Sequence, residues 1–91
     1  MNKSELIEAA ADRTQLSKSE VGDALDALTS TIVESVARGD KVAVTGFGTF
    51  ERRDREQRKG RNPQTGKEMT IAAQKTPAFK AGKSFKEEVD R

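Results

Sequence analysis

Between Arg53 and Lys75 the chain has almost nothing to bury. That stretch cannot join a core, so it must either be disordered or form a structure that stands clear of one. Its centre, Asn62-Pro63-Gln64-Thr65-Gly66, reads as a hairpin turn, with Pro fixing one corner and Gly supplying positive φ. The flanks, Arg52 to Arg61 and Lys67 to Lys75, then become two antiparallel strands of a ribbon that extends past the body as an arm. What remains to fold is roughly 70 residues, and a core of that size rarely supplies more than about 3–5 kcal/mol by itself.

The body divides by hydrophobic period. Asn2 followed by Glu5 fits a helix N-cap with an acid at the third position. Leu6, Ile7, Ala10 and Ala11 then form a short apolar stripe, predicting a helix from Lys3 to Arg13. Ser17-Lys18-Ser19-Glu20 has the S-x-x-E form of a capping box. Behind it Val21, Ala24, Leu25, Leu28, Ile32, Val33 and Val36 recur at helical spacing. Gly39 offers a left-handed stop, so a second helix runs from Lys18 to Arg38. A tight connection near Gln15 makes the pair an α-hairpin. The period then changes to two. Lys41 to Thr45 alternates as a strand, Gly46-Phe47-Gly48 turns, and Thr49 to Arg53 resumes as a strand. Thr76-Pro77-Ala78-Phe79 returns to the body. Gly82 to Val89 reads as a short terminal helix with Phe85 and Val89 four apart; its lysines come early and its acids late, against the helix dipole. The fold class is α+β. The second helix is apolar over a wider arc than one short helix covers, which together with the small body predicts a twofold dimer.

Composition narrows the function. The chain has no His and no Cys, which removes the usual triad base, the commonest metal ligand, thiol nucleophiles and disulfides. A chain of 91 residues buries too little surface to wall off a deep cleft. Apolar runs are too short for a membrane span, and the first residues lack the apolar core of a signal peptide, so an intracellular protein is expected. The net charge of +2 hides a strong asymmetry. Residues 1–40 carry four basic and eight acidic groups, a net of −4. Residues 41–86 carry twelve basic and four acidic groups, a net of +8. Residues 87–91 carry one and three, a net of −2. A one-sided basic excess of that length fits a polyanion-binding surface; the plainer reading is a solvated charged face.

Residues on one face of a strand share parity. On the outgoing strand of the arm the odd positions are Arg53, Arg55, Gln57, Lys59 and Arg61, with no acid among them. The even positions, Arg52, Asp54, Glu56 and Arg58, mix both signs. The return strand's odd positions, Lys67, Met69, Ile71, Ala73 and Lys75, combine end charges with groups able to lie in a groove floor. A bulge would break this parity around Arg58 and Lys59. Basic residues also keep an exposed ribbon soluble and block edge pairing, but that purpose does not require an acid-free face. A long basic ribbon fits a groove of duplex DNA. Pro63 at its tip points to the minor groove, where a rigid apolar residue can wedge between base pairs, although a proline in a turn is ordinarily only a turn residue.

Gly46-Phe47-Gly48-Thr49-Phe50-Glu51, Arg58-Lys59-Gly60-Arg61-Asn62-Pro63-Gln64-Thr65-Gly66 and Pro77-Ala78-Phe79-Lys80-Ala81-Gly82-Lys83 resemble the signature of the HU/IHF family of bacterial histone-like DNA-binding proteins. The resemblance covers the whole chain and is nearer the HU branch. It implies an IHF-like intertwined dimer: an N-terminal helical hairpin (1–40), a three-stranded saddle sheet (41–52 and 76–81), a protruding β-ribbon arm (53–75) and a short C-terminal helix (82–91). It implies that Pro63 intercalates and that Arg53, Arg55, Arg58, Lys59, Arg61, Asn62 and Lys75 contact DNA from the arm. Lys3, Lys80, Lys83 and Lys86 would contact backbone on the saddle flanks, and Phe47, Phe50 and Phe79 would be core and dimer-interface residues. No cofactor and no metal are implied, and the location would be the cytoplasmic nucleoid. Departures are Ile71-Ala72-Ala73 where many relatives carry Ile-Pro-Ala, Thr70 where an acid is common, Arg52 where an apolar residue is common, and Phe85 where Leu is frequent. The Ala72 difference bears on the local kink of the arm, and the Arg52 and Thr70 differences predict a more basic arm.

The function these residues imply is architectural: a homodimer binds double-stranded DNA with little sequence preference, preferring nicked, gapped or bent duplexes, and stabilises bends. Heterodimers with a paralogue and RNA binding as a side activity stay open; no membrane partner is implied. A rival reading is an IHF-like, sequence-preferring subunit. A reading from another class is a metal-dependent nuclease using Asp54 and Glu56; these acids lie in a Lys/Arg-rich ribbon with no enclosing pocket, so ion pairing is the role expected for them and the protein is not expected to be an enzyme.

Overall fold

A computed structural model describes residues 1–91. The chain separates into two compact units, Met1–Glu34 and Ser35–Arg91.

The first unit is helical. Helix α1 spans Lys3–Asp12 and begins with a complete capping box: the Glu5 backbone N–H donates to Asn2 Oδ1 at 2.9 Å, and the Asn2 N–H donates back to Glu5 Oε1. Helix α2, Lys18–Ala37, starts the same way. The Glu20 N–H donates to Ser17 Oγ at 3.1 Å and the Ser17 N–H to Glu20 Oε1 at 3.0 Å. These bonds satisfy donors that the first helical turn leaves without partners. They hold the Glu20 carboxyl below its ordinary range, with the Ser17 backbone bond as the main cause. Between the helices the Thr14 hydroxyl donates to the Ala11 carbonyl and accepts from the Leu16 N–H, closing the expected tight connection. Ala11 is buried, and Ile7, Ala10, Val21 and Leu25 are half-buried. Leu28, on α2, stays 62% exposed and Val33 66%.

The second unit opens with the last turn of α2. Gly39 takes φ +95°, and its N–H and that of Asp40 return to the carbonyls of Val36 and Ser35, which ends the helix. Strands β1 (Val42–Val44), β2 (Gly48–Arg55) and β5 (Gln74–Ala81) form an antiparallel sheet in the order β1-β2-β5. Strands β3 (Arg58–Arg61) and β4 (Glu68–Ile71) form a separate two-stranded ladder. Helix α3, Lys83–Val89, closes the chain, after Gly82 has donated its N–H to the Phe47 carbonyl at 2.8 Å.

The four phenylalanines share one cluster. Phe50 and Phe79 lie 4.8 Å apart by ring centroid, Phe47 and Phe79 5.2 Å, and Phe47 and Phe85 5.5 Å, spacings at which tilted aromatic pairs attract. Gly48 makes this packing feasible. A Cβ there would stand 2.5 Å from Phe79 Cζ and 2.6 Å from the Lys80 carbonyl oxygen. The cluster is closed on one side only, because Phe47 remains 44% and Phe79 41% exposed. No helix is long and apolar enough to cross a membrane.

The arm keeps its register. Arg55 faces Gln74 where the first ladder ends, and Arg58 faces Ile71 where the second begins. Two residues on each strand separate the ladders, Glu56-Gln57 and Ala72-Ala73. The interruption is symmetric, so no residue is inserted and the parity of the outgoing strand continues to its tip.

Candidate nucleic-acid interface

The tip of the ribbon is an ordered turn. The Asn62 N–H donates to the Lys67 carbonyl at 2.9 Å, and the Gly66 N–H donates to the Asn62 carbonyl at 2.7 Å. Asn62 Oδ1 accepts from the Gln64 N–H at 2.9 Å, and Thr65 Oγ1 accepts from the Lys67 N–H at 3.3 Å. Gly66 adopts φ +71°, the left-handed conformation expected of it. Pro63 sits exposed at the corner of this turn, its backbone conformation fixed by the bonds that Asn62 makes on either side. Asn62 therefore builds the tip, whatever else it touches.

The register decides which residues share a face of the arm. Arg61 lies opposite Glu68 and Lys59 opposite Thr70, so the odd outgoing residues share their face with the even return residues. The acid-free set Arg53, Arg55, Lys59 and Arg61 thus acquires Glu68 near the tip, where Glu68 Oε1 lies 3.6 Å from Lys59 Nζ. The odd return residues Met69, Ile71 and Lys75 belong to the other face, with Asp54 and Arg58. Ile71 Cδ1 would stand 3.0 Å from a Cβ at Gly60, so the missing side chain is what lets Ile71 lie against the opposite strand.

The root of the ribbon holds one carboxylate among three cations. Glu51 is 8% exposed. Lys80 Nζ lies 3.2 Å from Glu51 Oε1, Arg53 Nε 3.8 Å from the same oxygen, and Lys41 Nζ 3.7 Å from Glu51 Oε2. The geometry follows from the sheet. Arg53 shares the face of Glu51 on β2, Lys80 is its diagonal neighbour on β5, and Lys41 directly precedes β1 on the other side. The Lys80 hydrogen bond, with smaller help from Lys41 and Arg53, holds the Glu51 carboxyl below its ordinary range despite burial. One negative charge is thus surrounded by three positive ones whose side chains remain largely exposed.

Of the other basic residues picked out in the sequence, Lys3 stands on α1 with Nζ 2.6 Å from Asp26 Oδ1. Lys83 begins α3, 3.9 Å from Glu87, and Lys86 lies one turn on. Arg55, Arg58, Arg61, Lys75 and Lys86 make no ion pair, unlike the basic residues just described. Arg52 corrects one expectation. It does not add free charge to the arm: Nε and Nη2 grip the Asp54 carboxylate at 2.9 and 3.1 Å, and Nη1 donates to the Ala37 carbonyl at 3.1 Å. Asp54 accordingly serves in an ion pair, the role expected of it. Glu51, Arg52 and Glu68 are the residues whose placement sequence reading missed. For Glu51 the only local signal was its shared parity with Thr49 and Arg53.

An α-hairpin, a small antiparallel sheet carrying phenylalanines, and a basic ribbon ending in an ordered Asn-Pro turn define a class of proteins that present charge on an arm. The chain belongs to the family described as bacterial DNA-binding protein, whose model matches residues 1–90. It is 57% identical over 89 residues to DNA-binding protein HU-1 of Halalkalibacterium halodurans, covering 98% of this chain and 99% of that one. It is 54% identical over 90 residues to DNA-binding protein HU-beta of Salmonella typhimurium, covering 99% and 100%. Among solved structures it is similar to the Anabaena HU–DNA cocrystal structure, with a TM-score of 0.86, 48% identity and coverage of 98% and 97%. HU from Thermotoga maritima matches with a TM-score of 0.69 and 35% identity, covering 98% of each chain.

Proposed function

We propose that this protein is a histone-like architectural protein of the bacterial nucleoid that binds double-stranded DNA as a homodimer, with little sequence preference, and holds it bent. The observation that carries this reading is the arm: a ribbon in one register, basic along the outgoing strand and capped by an ordered turn that presents Pro63. Arg53, Arg55, Arg58, Lys59, Arg61, Asn62 and Lys75 contact DNA from the arm, and Lys3, Lys80, Lys83 and Lys86 meet phosphates nearer the body. Arms in the minor groove meet a degenerate pattern of donors and acceptors, so base readout is weak. Pro63 wedges between base pairs, and unstacking costs a few kcal/mol per step, offset by wrapping more DNA against the protein. The likeness to a relative crystallised with DNA supports the reading. The exposed apolar residues of α2 and the half-open phenylalanine cluster support the dimer.

Gel-shift titration and fluorescence transfer test the proposal. Affinity falls steeply with salt, because each neutralised phosphate releases counterions. Nicked or gapped duplex, which has lost part of its bending cost, binds more tightly than intact duplex. Pro63→Ala lowers the bend angle more than the affinity. Equal affinity for nicked and intact DNA, with an unchanged bend in the variant, defeats the bending mechanism.

A further inference from the structure

Asp54 stands directly across the ladder from Lys75, at a separation where opposite charges on neighbouring strands normally pair. They do not pair. The Asp54 carboxylate is taken by Arg52 of its own strand, through Nε at 2.9 Å and Nη2 at 3.1 Å. A planar fork held at two points outcompetes a single ammonium for a carboxylate. The fork is itself fixed from behind, since Nη1 donates to the Ala37 carbonyl at 3.1 Å, one of the carbonyls that the end of α2 leaves without a helical partner. It packs over Gly39, where a Cβ would come within 3.2 Å of Nη2. The Arg52 side chain is 23% exposed, against 59% for Asp54. Lys75, an exposed residue, is left with no carboxylate partner.

We infer that Arg52 is a positioning residue that sequesters Asp54 at the root of the arm and so keeps Lys75 free for a phosphate. The inference rests on the proposed binding of duplex DNA for its consequence, but the charge sorting itself belongs to the free protein. Arg52 takes no phosphate in this arrangement. Its charge acts by occupying the acid directly across the ladder from Lys75, and the C-terminal carbonyl of α2 aims it there.

A double-mutant cycle in the full chain separates this role from direct contact. Arg52→Leu releases Asp54 to Lys75; affinity for a 30-base-pair-class duplex probe falls, and the log–log salt dependence flattens by about 0.9, the loss of one neutralised phosphate. Adding Asp54→Asn to that variant restores both. Asp54→Asn alone, with Arg52 present, changes affinity by less than about twofold, the size of an exposed ion pair. If Asp54→Asn has the same effect whether residue 52 is Arg or Leu, or fails to restore the Leu variant, Arg52 is a phosphate contact or a general charge and the inference is wrong. Lysine acylation of the free protein, read by mass spectrometry, needs no DNA. Lys75 reacts about twofold more slowly in Arg52→Leu, the scale of an exposed pair, and regains its original rate in the double variant. An unchanged Lys75 rate across the cycle overturns the inference even where binding changes, whereas a parent protein that ignores duplex DNA but shows the acylation pattern overturns the proposed function alone.

Discussion

Glu51 shows how much one residue can carry in a chain with so small a core. It is the buried acid at the root of the arm, bonded to Lys80 and flanked by Lys41 and Arg53. Its carboxyl is held below the ordinary glutamate value of 4.5, with the Lys80 bond as the leading cause. In the unfolded chain that bond is absent, so the folded state binds the proton less readily. The sign follows from linkage. Glu51 adds stability that is fully present above about pH 4.5 and disappears as the pH falls through the lower folded value. Glu51→Gln is therefore less stable than the parent at pH 7, and the gap narrows on acidification below the ordinary carboxylate range. Paired thermal melts across that range check it; a gap that stays constant with pH assigns the loss to packing instead of charge.

At the scale of elements, the sheet depends on Gly48. The strand pairing Gly48 with Ala81 and Phe50 with Phe79 brings β5 so close that any side chain at position 48 meets Phe79 and the Lys80 carbonyl. Part of that obstacle is backbone, which cannot rotate away. Gly48→Ala costs about 1–3 kcal/mol by overpacking, measurable as a lower denaturant midpoint. Gly46, where a Cβ would meet nothing but φ is +84°, illustrates the other reason for a glycine, backbone conformation without crowding. Much at this scale was legible beforehand. Both capping boxes follow from residue type and spacing, because a cap needs only atoms three residues apart. The turn at Asn62 to Gly66 was legible for the same reason. The ends of α2 and α3 differ from expectation only at their terminal residues, where hydrogen bonding frays.

At the scale of the molecule, the apolar surface left by a single chain is the main fact. Leu28 and Val33 on α2, and Phe47 and Phe79 in the phenylalanine cluster, are large side chains that a lone 91-residue chain leaves in water. Covering such side chains is worth about 1.5–3 kcal/mol each when complete, comparable with the whole stability of a core this size. Light scattering at micromolar concentration gives a mass of two chains, and Val33→Glu, which would bury an unpaired charge in the interface, abolishes that dimer, lowers the melting temperature and removes the dependence of that temperature on protein concentration. A stably folded single-chain mass for the parent protein ends the dimer reading.

Sequence by itself determined the α+β class, the two helices with their caps, the ribbon with its Pro-bearing tip, and the parity that keeps acids off the outgoing odd face. Each of these is a property of residues near one another along the chain, set by backbone period, turn chemistry or capping reach. Tertiary structure decided that Glu68 joins that face, that Met69 and Ile71 lie on the other, that Glu51 gathers Lys41, Arg53 and Lys80, and that Arg52 points to the end of α2 and Asp54 instead of outward. Those outcomes follow from strand register and from which residues distant in sequence meet. A charge pattern records where a side chain sits on its own strand, but the carboxylate it finds is chosen by distance in space.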